Sequence, residues 1–324
     1  MQDQFKRSIE YLRISITDRC NLRCTYCMPD QGVNWLPQRD ILTYEEILRV
    51  VRIGVELGFK KFRVTGGEPL VRKGVISFLQ SLASTPGVKD VSLTTNGILL
   101  GPVAAELKQA GVRRVNISLD TLDSDKFSSI TRGGKLSSVL QGIEKSLEAG
   151  LNPVKVNMVV MRGFNDYELE DFANLAREYP LHVRFIELMP IGASSEKTHE
   201  LMTVSQMKES LGNLNLIPAP GVEGAGPARH YSAEGFKGTI GFISALSQHF
   251  CASCNRVRLT ADGKIKPCLH SFEEFDLRTL LRTVQSDEEL QQEISKVIWQ
   301  KPSQHHMSVE GWEGRKRVMS QIGG

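Results

Sequence analysis

The chain has 324 residues, 40% hydrophobic and 24% charged; this is ordinary globular composition with apolar content for a sizeable core, and length for about two domains or one large barrel with an extension. Forty basic against thirty-seven acidic side chains leave a net charge of +3, spread along the chain, which argues against the dense basic stripe of a general nucleic-acid binder. No stretch approaches the ~20 apolar residues of a membrane span, and the first residues carry no apolar signal region, so a cytoplasmic location is expected.

In chain order, the first strand-like run covers residues 11–17, with Leu12, Ile14 and Ile16 on one face and Arg13, Ser15 and Thr17 on the other. Cys20, Cys24 and Cys27 follow in the next loop. A helix is predicted from Thr43, with Glu46 three residues on completing a capping box. It carries Ile47, Val50 and Val51 on one face and stops at Gly58. A second strand, residues 61–65, runs into Gly66-Gly67-Glu68-Pro69. The third, 91–96, sets Val91, Leu93 and Thr95 against Ser92, Thr94 and Asn96; the fourth, 114–120, sets Val115, Ile117 and Leu119 against Asn116, Ser118 and Asp120. A helix with Leu136, Val139, Leu140, Ile143 and Leu147 as its apolar stripe closes at Gly150. Strands 153–161 and 182–189 complete the alternation, although Arg184 and Glu187 of the last fall on opposite faces.

Strand–helix alternation repeated six times predicts parallel strands joined by crossovers. Parallel sheets normally read as near-continuous apolar runs because both faces are covered. Here one face is polar, which fits a partly closed α/β barrel, apolar side out against helices and polar side into a ligand-filled lumen. From about residue 203 the alternation fades, giving an expected division into a core, 1–202, and a C-terminal region, 203–324. Residues 218–227 read as a loop. A helix-like segment lies near 275–298, and a basic tail ends in Gly323-Gly324.

All six cysteines fall into two sets of three: Cys20-x-x-x-Cys24-x-x-Cys27, and Cys251-x-x-Cys254 with Cys268. Clustered thiols in a long chain without a secretion signal point to metal or redox chemistry rather than a disulfide framework. Structural zinc takes four ligands, so a trio lacks one, whereas three thiolates can hold three irons of a [4Fe–4S] cube and leave the fourth open. For the second set a Cys₃His zinc site stays open as an alternative, with His249 and His270 nearby. A purely zinc-stabilised binding module is the corresponding non-catalytic reading. The first trio follows a strand end, where barrel folds place their chemistry. Arg13, Arg63, Lys155, Arg184, Arg256 and Arg258 collect on the inferred polar faces. Such a set would repel strongly unless a polyanion, such as a triphosphate, sat among them, since unit charges 4 Å apart interact by about 4 kcal/mol at an effective dielectric of 20.

The cysteine loop with Tyr26, and the strand end Thr65-Gly66-Gly67-Glu68-Pro69, resemble the radical S-adenosylmethionine superfamily. Ser15-Ile16-Thr17-Asp18, Thr94-Thr95-Asn96-Gly97, Lys155-Val156-Asn157, Arg184 to Met189, Cys251 to Arg258 and Gly323-Gly324 resemble, more narrowly, its GTP 3′,8-cyclase family of molybdenum cofactor biosynthesis. The resemblance spans essentially the whole chain. It implies a partial TIM-like barrel with a C-terminal extension carrying a second cluster. It further implies that Cys20, Cys24 and Cys27 hold a [4Fe–4S] cluster, with Tyr26, Gly67, Ser118 and Met189 around S-adenosylmethionine. Cys251, Cys254 and Cys268 would hold a second [4Fe–4S] cluster facing guanine. Arg13, Arg63, Thr94, Lys155, Arg184, Arg256 and Arg258 would contact GTP, and Gly323 and Gly324 would reach the active site, where with Arg13, Arg256 and Arg258 they would serve catalysis. The implied reaction removes hydrogen from ribose C3′, joins C3′ to guanine C8, and yields (8S)-3′,8-cyclo-7,8-dihydroguanosine triphosphate. An external electron donor, a separate downstream cyclic pyranopterin monophosphate synthase and a homodimeric association are the partners it implies. The nearest rival in the superfamily is a peptide-modifying radical enzyme with auxiliary clusters.

Overall fold

The computed structural model describes residues 1–29, 31–191, 198–224, 226–283, 286–305, 307 and 317–323. Among these, the six expected strands are β1 (Tyr11–Ser15), β2 (Lys61–Thr65), β3 (Asp90–Thr95), β4 (Arg114–Ser118), β5 (Val154–Val160) and β6 (His182–Glu187). Several end a residue or two earlier than their hydrophobic alternation. The reason is visible at β1, where pairing continues irregularly into the loops: Ile16 N–H donates to Thr65 O at 2.9 Å, Gly67 N–H to Thr17 O at 2.7 Å and Glu68 N–H to Arg19 O at 2.8 Å.

The helices between them are α1 (Tyr44–Glu56), α2 (Val75–Ser84), α3 (Leu100–Gln109), α4 (Ser124–Thr131), α5 (Leu136–Glu148) and α6 (Leu169–Glu178). In α1 the Thr43 hydroxyl accepts from Glu46 N–H at 3.2 Å, and Thr43 N–H donates to the Glu46 carboxylate at 2.7 Å. This reciprocal cap contributes about 1 kcal/mol. The predicted face of α5 is buried at Leu136, Val139 and Ile143, but Leu140 is exposed. The apolar strand residues, such as Leu12, Ile14, Val64, Leu93, Val115 and Ile117, join these helices in one core cluster.

The C-terminal region does not stand apart from this sheet. After α7 (Val204–Ser210) come β7 (Ile217–Pro218), β8 (Arg229–Ser232), β9 (Thr239–Ile243), β10 (Arg256–Leu259), β11 (Lys264–Lys266) and β12 (Phe275–Asp276). The single twelve-stranded sheet runs β12-β11-β10-β1-β2-β3-β4-β5-β6-β9-β8-β7. Strand β10 pairs parallel with β1, and β9 parallel with β6. Eight parallel strands are thus laid side by side, and among the described residues the two ends of the sheet do not pair, which is an incomplete barrel. The helical segment near 275–298 is two helices, α8 (Leu277–Thr283) and α9 (Asp287–Trp299), the second restarted by Ser286 as N-cap. A short last helix, α10 (Met319–Ile322), is followed by buried Gly323. Among the described residues no helix is long and apolar enough to cross a membrane.

Candidate active site

The polar face of the sheet is built by strand register. One row across five neighbouring strands reads Arg258, Arg13, Arg63, Ser92 and Arg114. The next rows hold Thr94, Asn116, Lys155 and His182, and then Ser118, Asn157 and Arg184. Adjacent strands lie about 4.8 Å apart, so three arginines stand on successive strands. The fourth arginine of the row, Arg114, stands beyond Ser92; it is not among the residues collected from the sequence, although its parity with Asn116 and Ser118 places it on the same polar face. It is fully buried and paired with buried Asp90.

Arg13 and Arg63, by contrast, have no carboxylate at ion-pair distance among the described residues. The Arg13 Nε, Arg63 Nε and Nη2, Arg114 Nε and Nη2, and the hydroxyls of Tyr11, Ser92 and Thr94 are buried with no hydrogen-bond partner among the described residues. Burial first, and then repulsion from Arg258 and Arg63, pushes Arg13 well below the usual guanidinium range. Arg184 is lowered to about 9, chiefly by burial and then by Arg63. Lys155 is lowered to about 6 by burial and by Arg184, Arg114 and Arg63, while its ammonium donates to Glu223 O at 2.5 Å. Burial pushes the Tyr11 phenol up, yet Arg63, Arg13 and Arg114 together bring it below its ordinary value. Guanidinium groups do not deprotonate in water at neutral pH, so this potential calls for an anion rather than for proton loss.

Above this floor is a cavity of about 320 Å³, and both cysteine trios line it. Its lining includes Cys20, Cys24 and Cys27 with Tyr26, Gly67, Ser118 and Met189, then Cys251, Cys254 and Cys268 with Arg256 and Arg258, and also Arg13, Arg63, Thr94 and Arg184. Lys155 is not among the residues lining the cavity, but it stands on β5 beside Asn116 of β4 and feels the charge of Arg184. Gly323 packs over β1 and β2. A Cβ there would come within 2.9 Å of Ser15 Cβ and 3.0 Å of Thr65 Cγ2, its φ is +84°, and its carbonyl accepts from Arg258 Nη1. Gly324 lies outside the described residues.

The three thiols of the first trio are half-buried on the cavity wall. Burial raises Cys20 to about 11 and Cys27 to about 12, and raises Cys24 as well. Leu22 N–H and Asn96 Nδ2 donate toward Cys20 Sγ at 3.4 and 3.7 Å. Thiols so placed ionise only with a strong local cation such as a bound metal. In the second trio burial also pushes Cys254 up, but Arg256 and Lys301 outweigh it and lower the thiol to about 6. A tetrahedral zinc with ~2.3 Å Zn–S bonds would draw its donors to about 3.8 Å from one another. Among the described residues the one donor group within 4.8 Å is His249, Cys251 and His305, which leaves out Cys254 and Cys268. Neither trio therefore has the compactness of a bound zinc's donor set.

Gly66 and Gly67 line the cavity, and their lack of a side chain is required by the protein's own backbone. A Cβ on Gly66 would be 2.7 Å from Thr17 O, and one on Gly67 2.3 Å from Arg19 O. They are small because the cysteine loop's backbone rests on them. Glu68, fully buried, accepts from Leu70 N–H at 3.0 Å, Thr95 Oγ1 at 2.9 Å and Asn96 N–H at 2.7 Å; burial raises it to about 7. Asp120, unassigned from the sequence, lines the cavity and accepts from Tyr26 Oη at 2.6 Å and Val159 N–H at 2.9 Å; burial raises it to about 6. Glu187, whose face was ambiguous, is an anchor that accepts from Val204, Leu246 and Ser247 N–H at 2.8–2.9 Å.

Residues 14–176 match the Radical SAM superfamily model, and residues 181–307 match the Molybdenum Cofactor Synthesis C model. Among curated proteins, the chain is 52% identical to the GTP 3′,8-cyclase of Heliobacterium modesticaldum and 51% identical to that of Desulforamulus reducens, in each case over 100% of both chains. Among solved structures it is similar in fold to SuiB of Streptococcus suis, with a TM-score of 0.62 at 13% identity, covering 91% of this chain and 66% of that one.

Proposed function

The chain belongs to the family of GTP 3′,8-cyclases within the radical S-adenosylmethionine superfamily, and from that premise we propose how its residues divide the work. The reaction is cyclisation of GTP to (8S)-3′,8-cyclo-7,8-dihydroguanosine triphosphate, the first step of molybdenum cofactor synthesis. Cys20, Cys24 and Cys27 hold the [4Fe–4S] cluster, and Tyr26, Gly67, Ser118 and Met189 surround S-adenosylmethionine. Bound together, these cofactors would supply one-electron radical chemistry at the sugar, given an electron from an external donor. Cys251, Cys254 and Cys268 hold a second [4Fe–4S] cluster beside the base. Residues 1–202 carry the first cluster's half of the site, and 203–324 the second.

Arg13, Arg63, Thr94, Lys155, Arg184, Arg256 and Arg258 receive the triphosphate and sugar. What carries this reading is the row of buried, unpartnered guanidinium atoms on Arg13 and Arg63 with Lys155 and Arg184 beside them. A polyanion would satisfy all of them at once. Fixing the phosphates and the base from opposite sides holds ribose C3′ and guanine C8 in one relative orientation, and orientation of this kind can remove several kcal/mol from a barrier. Gly323 closes the same space from above, keeping water from the reacting sugar.

Anaerobic turnover with S-adenosylmethionine, a reductant and GTP tests this. Deoxyadenosine is expected to form only when GTP is present, from brown protein with about eight irons. Turnover that ignores GTP or requires a peptide would refute the substrate assignment; colourless protein with one or two zincs would refute both clusters.

A further inference from the structure

Lys301 was not singled out by any motif, yet it is 1% exposed and lines the cavity beside Cys251, Cys254 and Cys268. Its ammonium donates to Arg256 O at 2.9 Å and to Pro267 O at 2.5 Å. Arg256 lies two residues beyond Cys254, and Pro267 immediately precedes Cys268. One side chain therefore ties together the two arms that carry two of the three thiols. No carboxylate lies within ion-pair distance of it among the described residues. A second buried cation, Arg7, pins the third arm by donating to Cys251 O at 2.9 Å, and it also holds Ser303 O and Pro302 O. Arg7, however, is neutralised by buried Asp3 at 2.6 Å.

The contrast between these two cations is informative. Buried charge is costly unless an opposite charge faces it. Arg7 has Asp3. Lys301 has two carbonyl dipoles and a remaining proton, and it lines the same cavity as the three cysteines of the trio.

We infer that Lys301 is the cationic partner of the second cluster, clasping the Cys254 and Cys268 arms and favouring the cluster's reduced form by charge. This rests on the reading that the second trio holds a [4Fe–4S] cluster. Three thiolates on such a cube leave net negative charge that grows on reduction, and net charge and hydrogen bonding set cluster potentials. A fixed positive charge alongside must therefore raise the potential. Lys301 acts as a positioning and tuning residue, with no contact to reacting atoms assigned to it.

The test uses the full-length chain with Cys20, Cys24 and Cys27 all changed to alanine, so that any cluster signal comes from the second trio. Lys301→Met and Lys301→Arg are placed on that background, and redox titrations are followed by electron paramagnetic resonance together with iron content and circular dichroism. With Lys301→Met, the ratio of reduced to oxidised cluster at a fixed poise is expected to fall at least tenfold, a downward shift of about 59 mV for a one-electron couple. Lys301→Arg should stay close to the parent. Loss of the cluster in Lys301→Met alone, with Lys301→Arg retaining it, also supports a requirement for the cation. An unchanged potential in Lys301→Met overturns the inference. So does cluster loss in both variants with folded dichroism intact, which would assign the site to packing. If the parent background itself binds no iron, the second-cluster reading fails, separately and before Lys301 is tested.

Discussion

The charge state of Lys155 yields the most quantitative expectation. Burial and the neighbouring Arg184, Arg114 and Arg63 lower its ammonium from 10.5 to about 6. At pH 8 a group of that value is about 1% protonated in the free protein. A triphosphate bound among the same arginines would reverse the repulsion and supply an anion, so the proton returns on binding. The complex then holds more protons than its free components, and GTP affinity must fall as pH rises above about 6, by about tenfold per unit until the bound-state value is reached. At pH 8 the γ-phosphate of free GTP is already ionised and does not confuse the count. Isothermal titration calorimetry of the anaerobic enzyme with GTP at pH 8, in two buffers of different ionisation enthalpy, should report uptake of about one proton. Lys155→Met, which keeps the buried stem and removes the titrating group, should report nearly none. A buffer-independent enthalpy in the parent enzyme, or the same uptake in Lys155→Met, would refute the reasoning.

Three further outcomes are expected. Gly67→Ala would set a Cβ 2.3 Å from Arg19 O and 2.6 Å from Asp18 O; both are backbone atoms of the cysteine loop, so iron at the first trio and binding of S-adenosylmethionine should both drop, read by absorbance and equilibrium dialysis. Gly323→Ala strains a φ of +84° and meets Ser15 and Thr65, at a cost of order 1–3 kcal/mol, so the docked tail should lift; deoxyadenosine should persist while cyclised product falls, and an unchanged ratio of the two would remove the tail from the site. Cys254→Ala should lose about four of eight irons and retain binding of S-adenosylmethionine, whereas Cys24→Ala should abolish reductive cleavage of it; a single phenotype for both would contradict two separate clusters.

The six parallel strands and their polar face were legible in the sequence because a strand's period of two sorts side chains by parity, independently of neighbours. Arg13, Arg63 and Arg258 could be placed on the lumen side by counting, and Arg114 could have been found the same way. The cysteine trios were legible because their ligands are close in sequence. The capping box at Thr43 was legible because both halves of it are local. By contrast, Thr239–Ile243 has no polar alternation to mark a lumen face, and nothing local says that it pairs with β6 or that Arg256–Leu259 pairs with β1.

Which strands neighbour one another is decided by long-range packing, and that choice brings the two trios to one cavity and aligns Arg258 with Arg13. Tertiary structure alone also shows Lys301 clasping residues 256 and 267, Glu68 holding the turn at Asn96, and the Gly66-Gly67 turn lying against backbone. Each depends on atoms far apart in the chain meeting in a dry interior, where an unpaired charge or an added methyl group carries a large free-energy cost. Side-chain alternation and ligand spacing are local properties and can be read in one dimension; electrostatic partnership and steric fit exist only once the chain has closed on itself.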